Sequence, residues 1–373
     1  MTRLRPNWVE VDLDAIGHNV RALTFDGVGV MAVVKADGYG HGDVAVARTA
    51  LEAGASWLGV ALVEEGLGLR AAGIEAPILV LSEFPRGSEV AAVAAELTPT
   101  VATPFALERL DSVAADLPAA PGVHVKIDTG MHRVGVWPPD EAVDLVDLVA
   151  RSGLELEGLW THLACADTDE VTTKEQLERF AGAVDAIEGA GHRARFLHAA
   201  NTAGAIAHPD SRFDLIRPGI GIYGVEPAPG LGSSLGLRPA LSWRCAVSAV
   251  RRLPAGTKVS YGHRYALAHD AWVATVPVGY ADGYPRAGSS RADVLIGGRR
   301  CRVAGSVTMD QLLVDCGDVE PSPDEEVVLL GSQGTETVSA WELAERCDTI
   351  AYEILARVGA RVPRRYVSEE RTA

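Results

Sequence analysis

Lys35 is the residue in this sequence with the clearest potential for chemistry. It ends the apolar run Val30-Met-Ala-Val-Val-Lys, where partial desolvation would lower the pKa of its amine and make it nucleophilic. Lysines of this kind form Schiff bases. The turn that follows, Ala36-Asp-Gly-Tyr-Gly-His-Gly, adds a tyrosine hydroxyl and three glycines that let the backbone approach a ligand closely. The sequence therefore predicts a nucleophilic amine beside a ligand-binding turn.

Other ionisable or polar side chains also follow short apolar runs. They are Lys126, Asp128, His162, His198, Asn201 and Arg217. For any one of them a solvated strand end is an equally good interpretation, but their recurrence at successive strand ends favours a common site. After Arg217, the glycine-rich turn offers the backbone N–H groups of Gly219 and Ile220 to a phosphate. The sequence has no Walker-type phosphate loop and no HExxH pattern, so we predict neither a nucleoside triphosphate nor a metal.

The elements that must position these side chains alternate over roughly the first 225 residues. The predicted strands are Val30–Lys35, Leu58–Ala61, Ile78–Leu81, Leu97–Ala102, Val123–Ile127, Leu156–His162, Phe196–Ala199 and Phe213–Ile216. The segments between them that have helical spacing include Val44–Ala53, Pro104–Val113, Asp140–Ala150 and Thr173–Ile187. This pattern predicts an α/β fold of the (β/α)8 TIM-barrel type, whose sites lie at the carboxyl ends of the strands. A doubly wound open sheet is the alternative.

Beyond about residue 225 the sequence is typical of a mainly β C-terminal domain. A stretch rich in Pro, Gly and Ser precedes alternating runs. These runs are Leu241–Val250, Trp272–Val278, Asp293–Ile296, Arg300–Ala304 and Glu326–Leu330. We expect a barrel over residues 9–230 and a β domain over residues 231–373 plus 1–8. The opening run Trp8-Val-Glu-Val-Asp-Leu also alternates, and we expect it to pair with the β domain.

Composition excludes several classes of protein. The chain has 373 residues and a net charge of −16, which argues against binding to nucleic acid or to an anionic membrane. It has no run of 18 apolar residues and no signal-peptide pattern. Its five cysteines form no CxxC pair. We therefore expect a cytoplasmic protein without disulfides or zinc.

The segment Val33-Val-Lys-Ala-Asp-Gly-Tyr-Gly-His-Gly resembles the pyridoxal-phosphate attachment motif of the alanine racemase family. The resemblance covers the whole chain. It continues in order through Lys126-Ile-Asp-Thr-Gly-Met-His-Arg, Trp160-Thr-His, His198-Ala-Ala-Asn-Thr, Arg217-Pro-Gly-Ile-Gly-Ile-Tyr-Gly, Val259-Ser-Tyr-Gly, Val278-Gly-Tyr-Ala-Asp-Gly-Tyr, Val307-Thr-Met-Asp-Gln and Tyr352-Glu-Ile-Leu. It implies a barrel followed by a β domain, and a homodimer with shared active sites. The implied reaction interconverts L-alanine and D-alanine by a two-base pyridoxal 5'-phosphate mechanism, which supplies D-alanine for peptidoglycan.

The resemblance also assigns roles to individual residues. Lys35 would hold the cofactor and act as one base, and Tyr261 of the other subunit would be the opposite base. Because tyrosine has a reference pKa of about 10, a tyrosine base needs help near neutrality, and His162, next to Arg217, is the family's candidate. Tyr39, Thr202, Gly219, Ile220 and Tyr352 would hold the phosphate, with Asn201 beside them. Arg133 and the backbone of Met309 would orient the substrate carboxylate, with Lys126, Asp310 and Tyr280 in support.

Arg217 explains why the family's reaction would be racemisation. In the family this arginine faces the ring nitrogen of the cofactor, where many pyridoxal-phosphate enzymes place a carboxylate. Because arginine stays charged and accepts no proton, the ring nitrogen would stay unprotonated. Reprotonation at Cα would then be favoured over transamination. In some relatives the residue matching Lys126 is carbamylated; here a plain lysine is an equal alternative. Thr308 stands where many relatives carry cysteine, which changes the pocket and leaves the chemistry in place.

Two other functions share these motifs. One is a racemase of serine or another small amino acid, because discrimination by an apolar pocket is worth only about 1–3 kcal/mol. The other is a non-catalytic pyridoxal-phosphate-binding barrel protein. Such proteins usually lack the β domain in which Tyr261 and Met309 lie, so the presence of that domain favours catalysis. A related amino-acid decarboxylase is disfavoured by Arg217.

Overall fold

The structure is a computed structural model that describes residues 5–114 and 120–368. The chain divides into two compact units. The barrel unit comprises Ile16–Gly38 and Asp43–Arg238. The β unit comprises Met1–Ala15, Tyr39–Gly42 and Pro239–Ala373. The chain thus leaves the barrel unit for four residues directly after the lysine-bearing turn.

The first two elements are strand β1 (Asn7–Asp12) and helix α1 (Leu13–Ala22). Strand β1 alternates buried and half-buried residues, as its sequence predicts, and it pairs antiparallel with a strand of the β unit. The expected pairing of the opening run with the β domain is therefore confirmed.

Within the described residues, eight parallel strands form the sheet of the barrel unit. They are β2 (Gly29–Val33), β3 (Trp57–Val60), β4 (Ile78–Val80), β5 (Leu97–Val101), β6 (Gly122–Lys126), β7 (Glu155–Trp160), β8 (Phe196–His198) and β9 (Leu215–Ile216). Neighbours in sequence are neighbours in the sheet from β2 to β8, and β9 pairs with β2. The (β/α)8 expectation is confirmed and the open doubly wound sheet is wrong. Runs of Val, Ile and Leu are required here because both faces of a parallel sheet are covered.

Hydrogen bonds just beyond the strand ends close the remaining gap between β8 and β9. Asp214 N donates to Leu197 O at 3.0 Å, and Arg217 N donates to Ala200 O at 2.9 Å. Asn201 and Arg217 also form a parallel bridge. The closure therefore fixes the backbone of Arg217 at the carboxyl-terminal rim of the barrel.

Helices follow most of the strands of the barrel unit. They are α2 (Asp43–Glu52), α3 (Val63–Ala71), α4 (Glu89–Ala94), α5 (Pro104–Ala114), α6 (Ala142–Arg151), α7 (Glu170–Gly189) and α8 (Thr202–Ala207). In α6 the apolar residues recur at helical spacing, and Ala142, Leu145, Val146 and Val149 are buried. Met31, Trp57, Leu79 and Leu215 form a core cluster inside this unit. Positions that point inward on successive strands thus fill the barrel, as the fold requires.

The β unit is built on a mostly antiparallel sheet. Its later strands are β10 (Leu241–Ala246), β11 (Ala249–Leu253), β12 (Lys258–Val259), β13 (Tyr265–Ala266), β14 (Ala271–Val276), β15 (Asp293–Ile296), β16 (Arg299–Val303), β17 (Leu312–Asp315), β18 (Glu326–Gln333), β19 (Glu336–Val338) and β20 (Arg364–Val367). The order in the main sheet is β11-β14-β17-β16-β15-β18-β10-β1-β20. Two helices, α9 (Ala340–Arg346) and α10 (Ala351–Ala356), complete the unit.

The predicted single strand Leu241–Val250 is wrong. The segment forms two strands, because β10 pairs with β18 whereas β11 pairs with β14. At the junction Val247 N donates to Glu325 O and Ser248 N donates to Thr275 O, both at 2.9 Å. The apolar pattern continues across this change of partner, so it could not reveal the break.

Among the described residues, no helix combines the length and apolar character that crossing a membrane would require.

Candidate active site

Lys35 stands at the start of a short left-handed turn that follows β2. The backbone φ is 55° at Ala36, 54° at Asp37, 57° at Gly38 and 50° at Tyr39. Glycine adopts this conformation freely, but other residues pay roughly 1–2 kcal/mol each. The turn therefore needs outside contacts that hold its shape.

Glu65 of α3 supplies those contacts. Its Oε1 accepts a hydrogen bond from Ala36 N at 2.6 Å, and its Oε2 accepts bonds from Ala61 N at 2.8 Å and Leu62 N at 3.0 Å. One carboxylate thus ties the lysine-bearing turn to the turn after β3. The sequence patterns alone did not single out Glu65. The available signal was its place at the third position of a helix, where a glutamate commonly accepts backbone N–H bonds.

We expect Glu65→Gln to destabilise the barrel unit. The amide has one accepting oxygen and no charge, so at least one of the three N–H groups loses a charge-assisted bond, at a cost of about 1–3 kcal/mol. The free energy of unfolding in urea measures the loss. The matched control is Glu64→Gln, because Glu64 is the exposed neighbour on the same helix turn. Equal stabilities of the two variants would contradict this role.

The electrostatic surroundings of Lys35 favour a neutral amine. Burial lowers the pKa of Lys35, and the nearby charge of Arg133 lowers it further, while the carboxylate of Glu65 opposes the shift. The side chain is only half-buried, so the amine remains accessible. The predicted nucleophilic character of Lys35 therefore has a physical basis in the fold.

The lowered pKa predicts how Lys35 reacts in the cofactor-free protein. The chain has four lysines, Lys35, Lys126, Lys174 and Lys258, so each amine is easily followed by mass spectrometry. Because only the neutral amine is acetylated, the midpoint of the acetylation rate against pH for Lys35 should lie below about 10.4, the ordinary pKa of a lysine amine. A midpoint at or above that value would contradict the prediction.

Lys126, at the end of β6, is the second amine at this rim. It is buried, and its Nζ lies 4.3 Å from the centre of the Trp160 ring. Burial, then the charges of Arg133 and Arg217, lower the pKa of Lys126 to about 7, against the raising effect of Asp128. About half of these amines are therefore neutral at neutral pH.

The loop after β6 carries Arg133, which is exposed. Asp128 Oδ1 accepts hydrogen bonds from Gly130 N at 2.9 Å and His132 N at 3.0 Å. The far end of the loop returns to the strand, because Val136 N donates to Lys126 O at 2.8 Å. These contacts hold Arg133 on an anchored loop close enough to lower the pKa values of both Lys35 and Lys126.

His162 is surrounded by positive charge. Burial lowers the pKa of His162 well below its usual value, and Arg217, Lys126, Arg133 and Lys35 lower it further, in that order. The imidazole is therefore neutral at physiological pH. The fold thus brings His162 into the same group of side chains as the two lysines and the two arginines.

Arg217 is buried behind this group with three hydrogen bonds to the protein. Its Nη1 lies 2.8 Å from Nδ1 of His198, and its Nη2 donates to Thr161 O at 2.7 Å and Ala199 O at 2.8 Å. The guanidinium also lies 4.7 Å from the centre of the Trp160 ring. Burial lowers the pKa of Arg217 to about 9, which leaves it charged at neutral pH. His198, rather than His162, accepts the hydrogen bond from Arg217.

The residues predicted beside the phosphate in the barrel unit also come together. Asn201 Oδ1 accepts from Gly204 N at 2.9 Å and so caps α8. Thr202 is buried, and its Oγ1 accepts from Gly219 N at 3.0 Å. Ile220 follows Gly219 at the start of a short 3-10 helix, Ile220–Tyr223. Thr202 and the glycine-rich turn are therefore in direct contact.

The remaining predicted residues lie in the β unit. Tyr39 and Tyr352 have ring centres 6.3 Å apart, and burial, together with Tyr352, raises the pKa of Tyr39. Gly40 continues the segment Tyr39–Gly42 past α10, where a Cβ on Gly40 would lie 2.3 Å from Leu355 O. This contact explains a glycine at position 40.

Tyr261 is prominently exposed for a tyrosine, at 76%, and Met309 is 53% exposed. Tyr261 and Thr308 line a cavity of about 720 Å³, and an adjoining cavity of about 620 Å³ is lined in part by Tyr280, Met309 and Asp310. The two cavities share Tyr261, so the predicted β-unit residues surround one open region.

The loops behind these cavities are tied together. Tyr280 N donates to Thr308 O at 2.9 Å and Ala281 N donates to Met309 O at 3.0 Å. Arg361 donates to Asp310 at 2.7 Å, which fixes the end of the same loop. Tyr280, Met309 and Asp310 are therefore held in fixed relation to one another.

The fold and the barrel-rim residues define a class of protein: a (β/α)8 barrel and a β unit in one chain, with a lysine of lowered pKa at the rim of the barrel. The family model "Alanine racemase, N-terminal domain" matches residues 11–227, and "Alanine racemase, C-terminal domain" matches residues 240–366. The chain belongs to the alanine racemase family.

Relatives agree over nearly the whole length. The chain is 46% identical to "Alanine racemase" of Symbiobacterium thermophilum, covering 98% of each chain. It is 44% identical to "Alanine racemase" of Frankia casuarinae, covering 96% of this chain and 95% of that one. A solved structure of alanine racemase from Streptomyces coelicolor A3(2) superposes with a TM-score of 0.93 at 40% identity, covering 97% of this chain and 98% of that one. Both domains of the family are therefore represented.

Proposed function

We propose that this protein is an alanine racemase that interconverts L-alanine and D-alanine with pyridoxal 5'-phosphate. The observation that carries the proposal is Lys35, a rim lysine with a lowered pKa, in a chain that matches the family over both domains. A protein that merely bound the cofactor would have no need of the exposed tyrosine and the fixed loop of the β unit. The five cysteines are all free, which fits a reducing cytoplasm.

The groups in the barrel unit fit this cofactor chemically. When bound, pyridoxal phosphate supplies an aldehyde for an amine and a conjugated ring that withdraws electrons from the substrate Cα. Lys35 offers the amine. The Thr202 hydroxyl and the turn at Gly219 and Ile220 offer polar groups suited to a phosphate. Arg217 offers N–H donors beyond the three that bind the protein. The roles of Tyr39, Tyr352 and Asn201 toward the cofactor stay predictions.

Racemisation requires one base on each face of the substrate and contacts that hold the substrate between them. Lys35 would hold the cofactor, and its amine would take or return the Cα proton on one face of the substrate. Tyr261 does the same with its phenol oxygen on the opposite face. Arg133 and the Met309 backbone hold the substrate carboxylate. The substrate therefore cannot rotate, and each base stays on its own face of Cα. With one base on each face, removal from one side and return from the other inverts the carbon.

Arg217 restricts the outcome of the reaction. Its guanidinium is charged at neutral pH and has no lone pair that can accept a proton. Facing the ring nitrogen of a bound cofactor, it would donate a hydrogen bond and, unlike a carboxylate, would not stabilise a proton on that nitrogen. An unprotonated ring would withdraw fewer electrons from the substrate, which would favour return of the proton to Cα over transamination.

Measurement of products tests the proposal. Protein reconstituted with pyridoxal phosphate is incubated with L-alanine or L-serine, and D-amino-acid oxidase detects the D-enantiomer. We expect D-alanine to form, and faster than D-serine. Faster formation of D-serine would replace alanine by serine as the substrate. A cofactor absorbance band with no D-amino acid would support the binding-protein alternative and overturn the proposal.

We also propose a homodimer in which Tyr261 of one subunit serves the Lys35 site of the other. The exposure of Tyr261, Met309 and Tyr280 supports this arrangement, because such large side chains are usually covered in a working assembly. The expected mass in solution is about twice 39.3 kDa.

Mixed subunits test the shared site. A heterodimer of Lys35→Ala and Tyr261→Phe subunits carries both changes in one site and neither in the other, so we expect about half of the wild-type activity. Two differently tagged chains are co-expressed and purified in sequence, and unmixed parental dimers are the control. Activity no higher than that of the parents would show that each site uses residues of one chain.

A further inference from the structure

Two buried histidines inside the barrel unit have no part in the proposed reaction. His124 on β6 and His198 on β8 are both fully buried. Nδ1 of His124 lies 2.8 Å from Nε2 of His198, and Nδ1 of His198 lies 2.8 Å from Nη1 of Arg217. Nε2 of His124 lies 3.6 Å from Oε2 of Glu157 on β7. A line of polar groups therefore connects Arg217 at the rim to a carboxylate deeper in the sheet.

The backbone makes room for this line at two places. A Cβ on Gly158 would lie 2.4 Å from Nδ1 of His124, and a Cβ on Gly122 would lie 2.5 Å from Oε2 of Glu157. A side chain at either position would therefore displace a member of the line. The register of β6 and β7 also shifts between Val123 and His124, so that Leu156 and Gly158, but not Glu157, face residues of β6. Such bulges redirect side chains.

The direction of both hydrogen bonds in the line follows from Arg217. A guanidinium can only donate, so Nδ1 of His198 must accept and its proton must lie on Nε2. That proton is donated to Nδ1 of His124, whose own proton must then lie on Nε2, facing Glu157. The guanidinium alone thus fixes both tautomers, and the Glu157 carboxylate, 3.6 Å from Nε2 of His124, is an electrostatic contact longer than a hydrogen bond.

Both imidazoles are neutral in this arrangement. Burial lowers the pKa of His198 well below its usual value, and the charges of Arg217 and His124 lower it further. Burial also lowers the pKa of His124, although Glu157 opposes the shift. Ring contacts hold the two side chains in place: His198 stacks on Trp160 at 5.6 Å, and His124 lies 5.2 Å from Trp57.

We propose that Glu157, His124 and His198 form a positioning relay that holds the guanidinium of Arg217 in one orientation, with Nη1 donating into the barrel. His124 and Glu157 are positioning residues, since neither touches the site directly. The proposal rests on the proposed function in one respect: the orientation of Arg217 matters to catalysis only if Arg217 meets the cofactor there. The relay itself is a property of the protein without cofactor.

The first test needs neither cofactor nor activity. In cofactor-free protein with ¹⁵N-labelled histidine at neutral pH, we expect His124 and His198 each to show a protonated Nε2 and an unprotonated, hydrogen-bonded Nδ1. The signals are assigned by their loss in His124→Phe and His198→Phe. A proton on Nδ1 of His198, or a doubly protonated ring at either position, would overturn the relay even if the protein racemises alanine.

The second test measures the consequence in the reconstituted enzyme. His124→Phe keeps a ring of similar size but removes the hydrogen-bond acceptor for His198. We therefore expect kcat for alanine to fall roughly tenfold with little change in KM, as happens when a residue that orients a ligand-contacting side chain is lost. His124→Gln retains a carbonyl acceptor and should recover most of the loss. Glu157→Gln should lie between wild type and His124→Phe.

A control separates the relay from general effects of losing a histidine. His192→Phe removes a half-buried histidine that lies 2.6 Å from Asp147, outside the relay, and should leave kcat unchanged. Equal kcat values for wild type and a folded His124→Phe, with the His198 tautomer unchanged, would overturn the proposal. Absence of racemisation in the wild type would refute the proposed function and leave the tautomer result as the test of the relay.

Discussion

Lys35→Ala is expected to abolish racemisation of alanine in both directions. The substitution removes the amine that we propose both to hold the cofactor and to act as the base on one face of the substrate. Because a positioned base alone contributes about 10²–10⁴-fold, we expect activity to fall by at least about four orders of magnitude. The D-amino-acid oxidase assay from L-alanine, and its reverse from D-alanine with L-alanine detection, measure the loss.

A chemical readout separates loss of Lys35 from loss of folding. Borohydride reduction of the reconstituted wild-type protein should attach the cofactor to the peptide containing Lys35, and to none containing Lys126, Lys174 or Lys258. Lys174→Ala, on α7, is the matched control and should keep both activity and attachment. Attachment at another lysine, or a fully active Lys35→Ala variant, would contradict the assignment.

Tyr261→Phe is expected to lower racemisation about 10²–10⁴-fold, as the loss of a general base does. The change removes one hydroxyl from an exposed side chain, so the fold should be unaffected. Because Lys35 still serves its own face, exchange of the Cα hydrogen with D₂O should persist for one enantiomer of alanine and fall steeply for the other. Mass spectrometry of alanine recovered after incubation in D₂O measures both rates.

Tyr265→Phe is the control for this selectivity. Its hydroxyl donates to Asp315 at 2.8 Å in the same unit and has no proposed contact with substrate. This variant should exchange both enantiomers at similar rates. Equal slowing of both enantiomers in Tyr261→Phe would argue for a single base and against one base on each face.

The barrel could be predicted from the sequence because most of its strands are short, mainly apolar runs separated by segments with helical spacing. All eight predicted strands occur close to their expected ends, as for Leu97–Ala102 against Leu97–Val101. Buried parallel strands give this signal because both faces are covered. The predicted strand Leu241–Val250 failed for the opposite reason: one apolar run serves two sheet partners.

The relative placement of side chains at the site could be predicted only in part. Strand ends in a barrel meet at one rim, so the clustering of Lys35, Lys126, His162 and Arg217 followed from their positions in sequence. The contacts between them did not. That Arg217 binds His198 and not His162 depends on side-chain rotamers, which no local sequence pattern specifies.

The left-handed turn shows a second limit of the sequence. Three glycines predicted that the backbone after Lys35 approaches a ligand closely, but φ is also positive at Ala36 and Asp37, where composition gives no warning. The cause lies 29 residues away in Glu65, which accepts the N–H of Ala36. Long-range hydrogen bonds of this kind leave no local pattern.

The approach of alanine to equilibrium tests the central claim most directly. Enantiomers have equal free energies in water, so a racemase must bring pure L-alanine and pure D-alanine to the same equal mixture. We predict that, after subtraction of the protein's own signal, the circular dichroism signal of either pure enantiomer of alanine decays to zero at constant total alanine, without formation of pyruvate. A signal that stays constant from both starting points, or one that decays only as alanine is consumed, would contradict the account.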